Sequence, residues 1–233
     1  MFLTESLPAN TLDEADDLFN KGGIDNYQAA VEIYRRALVH DEKDYDANWK
    51  CARAYRSLGK AIIKKQQDGW KKQCAKYGTL GIEYSEKAIE LNPKRPEGYY
   101  YYGLSVGTYA DGVSILTALA EGLKNKTQKG LEKAYEMDKM YDKAGPILAL
   151  GRFWSVLPWP LKDKEKALAY YREYQITEYF ATTAKAKIYL AELLLDIKGK
   201  DNKKEALDLL GQAAHSESEF YRKWAQRLLT KNK

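Results

Sequence analysis

The sequence predicts an all-α fold made of repeated helix pairs, and three observations support this prediction. Ala, Leu, Lys and Glu dominate the composition and only 6 prolines occur in 233 residues, which favours helices. Val and Ile never gather into the short alternating runs that a sheet needs. A small residue also recurs in successive apolar helical segments, at Gly59, Gly103, Gly151 and Ala191. Each of these segments is followed by a second apolar helix.

We expect about five degenerate helix pairs and a C-terminal capping helix. Stacked repeats bury their apolar faces on their neighbours, so a single domain over residues 1–233 is predicted, wound as a right-handed superhelix. A polar outer face is needed where the array ends, which is the role expected of the last helix. The predicted repeats cover approximately residues 11–40, 45–92, 96–139, 145–175 and 180–214, and the cap covers residues 217–231.

The first two repeats can be traced from their apolar stripes. In the first repeat the stripe ends at Gly22-Gly23, and residues 27–38 form the partner helix. The second repeat opens at Asp46, but its partner helix arrives late. Residues 59–81 hold about 17 positions more than the repeat motif allows. This excess predicts a helical insert.

The third repeat carries a similar insert. It opens with Pro96, a residue favoured in the first turn of a helix. The extra stretch, residues 112–123, is apolar enough to pack against other helices. We therefore expect elongated helices in repeats two and three, which either wall a cavity or brace each other.

The last two repeats are marked by their turns. The fourth begins near Gly145-Pro146, and two prolines around Trp159 stiffen the turn before Asp163 caps the next helix. The fifth turns at residues 199–202.

The recurrence of small residues at these positions can be explained by helix packing. Ala52, Gly103, Gly151 and Ala191 are predicted to lie where the two helices of a pair cross most closely. A larger side chain there would push the two backbones apart.

This pattern resembles the tetratricopeptide family over roughly residues 11–214. The resemblance implies a non-enzymatic scaffold that binds a peptide or a partner protein along its concave face. A narrower resemblance rests on residues 150–161, which read L-G-R-F-W-S-V-L-P-W-P-L, followed by D-K-E-K-A-L.

That phrase is similar to the T-component of tripartite ATP-independent periplasmic (TRAP) transporters. A related animal group is formed by the microtubule-dynamics-regulator-like proteins. The transporter resemblance implies a bacterial periplasmic protein, a processed or trimmed lipoprotein rather than a cytoplasmic one. It also implies a solute-binding protein as partner and an apolar channel or pocket, and it allows a homo-oligomer such as a trimer.

The concave lining of a tetratricopeptide domain comes from the first helix of each repeat, one turn either side of the small residue. Counting in this way gives the candidate binding residues Trp49, Arg53, Arg56, Tyr100, Leu104, Arg152, Ser155 and Glu192. Aromatic and Arg side chains would suit an extended peptide or a carboxylate ligand. Alternatively, each Arg pairs with a neighbouring acid such as Asp46 or Glu97. Both alternatives stay open for the arginines, whereas packing is favoured for the tyrosines.

Nothing in the sequence predicts catalysis, a metal site or a cofactor. Residues 103–107 match G-x-S-x-G, but a nucleophile elbow needs a strand before it and a parallel sheet around it. We interpret the match as chance. Cys51 and Cys74 lack the spacing of a zinc site, and Cys51, at a core position of the repeat, is predicted to be a buried free thiol.

Charge and hydropathy indicate whether the protein binds nucleic acid or carries a membrane or export signal. The net charge is +5, and residues 60–80 carry six lysines against Asp68 alone. We interpret this stretch as a solvated face, and no nucleic-acid partner is expected. Residues 1–5 show neither a basic start nor a long apolar run, which predicts no signal peptide or membrane anchor in this sequence.

Two functions remain. The first is the scaffold described above. The alternative is a carrier of a small apolar or acidic ligand, in which residues 61–76 and 110–123 close over the groove. A pocket lined by these inserts would favour the carrier.

Overall fold

The computed structural model describes residues 11–65 and 68–232. Within those ranges the protein consists of twelve α-helices and has no β-strand, which confirms the all-α prediction. Residues 1–5, for which no signal peptide is predicted, lie outside the described residues. The helices are α1 Thr11–Lys21, α2 Ile24–His40, α3 Tyr45–Lys65, α4 Trp70–Leu91, α5 Pro96–Gly112, α6 Ile115–Ala120, α7 Leu123–Asp138, α8 Tyr141–Val156, α9 Lys164–Gln175, α10 Ala184–Ile197, α11 Lys200–Ala213 and α12 Glu219–Asn232.

The helices follow one another in the order that the repeats predict. The first helices of the five pairs are α1, α3, α5, α8 and α10, and their partners are α2, α4, α7, α9 and α11. The last helix, α12, lies where the cap is predicted. The helix bounds differ from the predicted repeat bounds by only a few residues.

The inserts lengthen the second pair and add a helix to the third. In the second repeat α3 has 21 residues and α4 has 22, so the insert continues both helices. In the third repeat α5 has 17 residues and α7 has 16. The remaining insert residues form the short helix α6 between them.

The chain is divided into two compact units, Met1–Met137 and Asp138–Lys233. In the first unit, fully buried Ala15, Ala30 and Tyr34 pack with Cys51 of the second repeat. Apolar faces of successive repeats therefore share a core, as stacked repeats require. In the second unit, Ala191 and Ala206 are fully buried. The continuous single domain remains a prediction.

The helices of a pair approach closely at the predicted glycines. A Cβ atom on Gly103 would lie 2.4 Å from Leu131 Cδ2, and one on Gly151 would lie 2.5 Å from Tyr171 Cδ1. Each contact joins the first helix of a repeat to its partner. Ala52 is fully buried. Gly103 and Gly151 thus lie at helix crossings, as predicted.

Successive repeats also meet closely where α4 packs on α5. A Cβ on Gly78 of α4 would lie 2.4 Å from the backbone nitrogen of Tyr109, and one on Gly112 of α5 would lie 2.4 Å from the backbone nitrogen of Ala75. At these points backbone touches backbone. The two inserted segments therefore brace each other.

The turns of the fourth repeat agree with their sequence signals. The Asp163 side chain accepts a hydrogen bond from the backbone N–H of Lys166 at 2.9 Å, which confirms it as a cap. Asp142, Lys143 and Ala144 have left-handed backbones, with φ of 47°, 60° and 58°. Regular helix in α8 therefore starts at Gly145, near the predicted start. Across residues 11–65 and 68–232, no helix combines the length and apolar character that a membrane span requires.

Candidate functional site

The candidate binding surface of the first unit is formed by α1, α3 and α5 and is termed the A-helix face. Two contacts set α3 beside α5. Trp49 stacks on Tyr101 with ring centroids 5.9 Å apart, and Lys60 Nζ lies 2.5 Å from Asp111 Oδ2. Both contacts join residues at nearly the same sequence offset, so the helices run in parallel register. By this register Arg56 of α3 and Gly107 of α5 lie at a similar height along the two helices.

Arg53 is held by internal contacts. Its Nη2 lies 2.7 Å from Asp16 Oδ1 and donates to the hydroxyl of Tyr34 at 3.3 Å. The guanidinium carbon lies 3.9 Å from the ring centroid of Phe19 and 5.0 Å from that of Trp49, within cation–π range. Only 17% of the Arg53 side chain is exposed. Its positive charge is therefore neutralised within the chain.

Asp16 is the acid at the centre of this cluster. It accepts hydrogen bonds from Lys50 Nζ at 2.6 Å and from the Tyr34 hydroxyl at 2.6 Å, in addition to Arg53. Burial acts to raise the pKa of the Asp16 carboxyl, but these hydrogen bonds and the charges of Lys50 and Arg53 outweigh it. The pKa of Asp16 therefore lies below its ordinary value. Asp16 is ionised at neutral pH and anchors three side chains.

The predicted aromatic residues pack within the unit. Trp49 is buried against Tyr101, and its Nε1 donates a hydrogen bond to Asp46 Oδ1 at 2.7 Å. Tyr100 is also buried, with its ring tilted against that of Tyr101 at 5.1 Å. The Trp49 ring thus contributes to the contact between α3 and α5, whereas the Tyr100 ring packs beside its neighbour on α5.

Arg56 stands in a different environment from Arg53. Its side chain is half-buried, and its Nε is buried with no hydrogen-bond partner in the part of the chain that the structure describes. Its charged neighbours on α3 are also cations. Removal from water lowers the pKa of Lys64, and the positive charges of Arg56 and Lys60 lower it further. Arg56 therefore adds to a locally positive surface.

The surface at Gly107 of α5 is open. Gly107 is exposed, and a Cβ built there would meet no heavy atom within 4 Å. Leu104, one turn earlier on α5, is half-buried. We term Arg56, Lys60, Leu104 and Gly107 the Arg56 strip. In this strip Arg56 and Lys60 are cationic, Leu104 is apolar, and the surface over Gly107 is unoccupied.

The candidates of the second unit are engaged internally. Arg152 Nη1 lies 2.9 Å from Glu192 Oε2, and its guanidinium carbon lies 4.2 Å from the ring centroid of Tyr189. The other carboxylate oxygen of Glu192 accepts a hydrogen bond from Trp224 Nε1 of α12 at 3.1 Å. Ser155 Oγ donates to the backbone carbonyl of Arg152 at 2.9 Å. The capping helix thus supplies a hydrogen-bond donor to Glu192 of α10.

The ion-pair partners differ from the acids that the sequence suggested. Asp46 and Glu97 both pair with Arg95, whereas Arg53 and Arg152 pair with acids on the adjacent first helix. A signal for the true pairs was present. All four residues directly follow the small residue of their helix, in Ala15-Asp16, Ala52-Arg53, Gly151-Arg152 and Ala191-Glu192. Equivalent positions on adjacent first helices therefore carry opposite charges.

The described residues do not assemble a recognisable catalytic centre. Ser105 lies within α5 and is fully buried, so the G-x-S-x-G match has no elbow geometry. No group of three or more His, Cys, Asp or Glu residues in the described ranges is placed to hold a metal ion. Cys51 and Cys74 are buried free thiols. Burial, with the nearby charge of Asp111, raises the pKa of Cys74 to about 11.

Comparison with known proteins identifies a family model and a fold. Residues 11–155 match the family model described as regulator of microtubule dynamics protein 1-3. TTC0263, a thermophilic tetratricopeptide protein of Thermus thermophilus, superposes with a TM-score of 0.66 at 20% identity, over 94% of this chain and 98% of that one. No curated protein sequence matches the chain.

Two further solved structures share the fold. MamA superposes with a TM-score of 0.54 at 13% identity, over 97% of this chain and 99% of that one. YrrB, described as a tetratricopeptide protein with an unusual peptide-binding site, gives 0.53 at 14% identity, over 95% of this chain and 91% of that one. These likenesses confirm the tetratricopeptide fold.

Proposed function

We propose, given that the chain belongs to the regulator of microtubule dynamics protein 1-3 family, that it is a non-enzymatic scaffold which binds a partner protein. Tetratricopeptide repeats present rigid helix surfaces on which a peptide can lie, and short chain segments are commonly read in this way. The observation that carries the proposal is Arg56, whose Nε is buried without a hydrogen-bond partner among residues 11–65 and 68–232, on the A-helix face that also holds exposed Gly107.

The positive charge of the Arg56 strip favours an acidic peptide segment of the partner protein as its ligand. A half-buried guanidinium without an acid is unfavourable, and a carboxylate that approaches it gains a charge-assisted hydrogen bond. Arg53 and Arg152 are neutralised by Asp16 and Glu192, so they are not the groups that recognise the ligand. Arg56 supplies the positive charge, because Lys60 is paired with Asp111, and Leu104 supplies an apolar contact. The segment is therefore acidic with apolar residues between the acids.

A labelled peptide tests this proposal. The probe is a fluorescein-labelled peptide of alternating Glu and Leu or Gly residues, with a Gln-for-Glu analogue, titrated by fluorescence anisotropy at low salt. We expect the Glu peptide to bind, the Gln peptide to bind far more weakly, and Arg56→Glu to lower the affinity at least tenfold, about 1.4 kcal/mol. Binding should also weaken as salt screens the charges.

Lys72→Glu is the matched control, because Lys72 is an exposed residue of α4 and the change in net charge is the same. It should leave the affinity within about twofold, since screened surface charges contribute little. Equal binding of the Glu and Gln peptides, or equal losses in the two variants, would contradict the proposal. The family model is described as a regulator of microtubule dynamics. Co-sedimentation with microtubules then tests whether microtubules present the acidic segment.

Carriage of a small apolar or acidic ligand stays the alternative proposal. The backbone contacts of Gly78 and Gly112 between α4 and α5 weigh against it, because there the inserted segments pack on each other. Mass spectrometry of the purified protein tests it, with a stoichiometric lipid or acid as the supporting result. A solute-binding protein as partner, implied by residues 150–161, likewise stays a prediction.

A further inference from the structure

We propose that the turn between α8 and α9 attaches the second unit to the surface of anionic phospholipid bilayers, with Trp159 entering the headgroup region. Trp159 is 90% exposed and Leu161 is 40% exposed, so two exposed apolar side chains lie on one turn. An indole ring favours the headgroup level of a bilayer, where its apolar body and its polar N–H group are both accommodated. The turn therefore supplies the apolar part of a membrane-binding surface.

The backbone of this turn is held in place. The backbone N–H groups of Leu161 and Lys162 donate hydrogen bonds to the Pro158 carbonyl, at 2.8 and 3.1 Å. Proline on both sides of Trp159 limits the backbone further. Because the turn is already ordered, little conformational entropy is lost when the exposed ring enters an interface.

The turn between α10 and α11 brings cations to the same end of the second unit. Lys162 Nζ lies 3.1 Å from Asp196 Oδ2, and Lys164 Nζ lies 3.2 Å from Asp196 Oδ1. These ion pairs join the segment around the start of α9 to the last turn of α10. Four exposed lysines follow in the chain, and none has an ion-pair partner in the ranges that the structure describes: Lys198, Lys200, Lys203 and Lys204.

The acids of these two segments, residues 157–166 and 196–205, do not cancel the positive charge. Three of them pair with a lysine or an arginine of the chain, namely Asp163, Asp196 and Glu205. The other two, Glu165 and Asp201, are exposed. Four unpaired lysines against two unpaired acids leave this end of the unit with a net positive charge, which complements an anionic surface.

The residue types on this surface favour a bilayer over a protein partner. Lysine is depleted in protein–protein interfaces, whereas clustered lysines are typical of surfaces that bind anionic lipids. The strength of binding to such a bilayer grows with the apolar area buried and with the electrostatic attraction. Trp159 and Leu161 supply the apolar area, and the lysines supply the attraction.

Co-sedimentation with sucrose-loaded vesicles tests this proposal. One set of vesicles contains phosphatidylcholine alone, and the other also contains phosphatidylserine. The wild-type protein should bind the anionic vesicles at least tenfold more tightly than the neutral ones, and added salt should weaken the binding because it screens the charges. Equal binding to the two sets, or no binding to either, would overturn the proposal.

Two substitutions separate the apolar and the electrostatic contributions. Trp159→Ala and Lys200→Glu should each lower the affinity for anionic vesicles at least tenfold, with unchanged circular dichroism. One lysine near an anionic surface contributes about fivefold, and Lys200→Glu both removes a cation and adds an anion. Trp159→Phe should bind more tightly than Trp159→Ala, because it keeps an aromatic ring.

Ile176→Ala and Lys143→Glu are the matched controls. Ile176 is 87% exposed and follows the last residue of α9, and Lys143 is an exposed residue near the start of α8, so both lie at the opposite ends of these helices from the turn. Each control should bind within about twofold of the wild type, since exposed charges beyond a Debye length are screened. Losses in the controls as large as those in Trp159→Ala and Lys200→Glu would overturn the proposal. Arg56→Glu should leave vesicle binding unchanged, which separates this inference from the proposed function.

Discussion

Arg53 and Arg56 lie three positions apart on α3, yet their surroundings differ in charge. Arg53 meets Asp16 and two aromatic rings, while Arg56 has cations as its charged neighbours on the helix. A charge that is matched by the adjacent first helix stabilises the stack of repeats. A charge that is unmatched and faces open space is available to a partner.

The sequence identified both arginines but could not separate their roles. Counting from Ala52 places Arg53 and Arg56 on the lining, because the helical period is regular. Which of them is paired depends on the neighbouring helix across the stack. Asp16 looked like an ordinary acid near the start of a helix, and only its position after Ala15 pointed to its partner.

Asp16→Asn should lower the free energy of unfolding by roughly 1–3 kcal/mol at pH 7, because Arg53 and Lys50 lose a buried anionic partner. Urea denaturation measures the change. Asp17→Asn is the matched control, because Asp17 is an exposed neighbour on α1, and it should change the free energy by less than about 0.5 kcal/mol. Similar losses in the two variants would refute the role of Asp16.

The difference in unfolding free energy between the wild type and Asp16→Asn should depend on pH. Because the pKa of Asp16 is lowered in the folded state, its stabilising contribution is complete above its unfolded pKa, about 3.9. It is lost as pH falls through the folded pKa. The difference in unfolding free energy between the wild type and Asp16→Asn should thus be constant from about pH 5 to 8 and shrink below about pH 4. A difference that persists at pH 2 would show that the contacts of Asp16 do not require its charge.

At the scale of the helix, two kinds of close contact hold the repeats together. Gly103 and Gly151 lie within pairs, and their periodic placement made them predictable. Gly78 and Gly112 lie between successive repeats, in residues that the inserts add. Because the inserts fall outside the repeat motif, no period marked these glycines, and their role emerges only once α4 and α5 are packed.

Gly78→Ala should destabilise the protein by roughly 1–3 kcal/mol, because the added methyl group meets the backbone of Tyr109, which cannot rotate away. Gly107→Ala is the opposing control, because a Cβ there meets open space. It should stabilise the protein by about 0.4–1 kcal/mol, since alanine loses less backbone entropy in a helix. Thermal denaturation of both variants checks the prediction, and a loss of stability in Gly107→Ala alone would contradict it.

For the whole molecule, the sequence predicted the class, the number of pairs and the cap, because hydrophobic periodicity and turn residues act locally along the chain. It predicted the candidate site only in part. Trp49, Arg53 and Arg152 are on the predicted helices, but the contacts they make with Asp46, Asp16 and Glu192 decide whether they are free. Such contacts depend on packing between helices that are distant in sequence.

The different roles of Arg53 and Arg56 can be tested with the variants Arg53→Gln and Arg56→Gln. For each variant, the affinity for the acidic peptide is measured together with the free energy of unfolding. We expect Arg56→Gln to weaken binding at least tenfold and to change the free energy of unfolding by less than about 0.5 kcal/mol. Arg53→Gln should lower stability by roughly 1–3 kcal/mol and leave binding to the folded protein within about twofold. Binding that depends on Arg53 and not on Arg56 would show that Arg56 does not recognise the acidic segment.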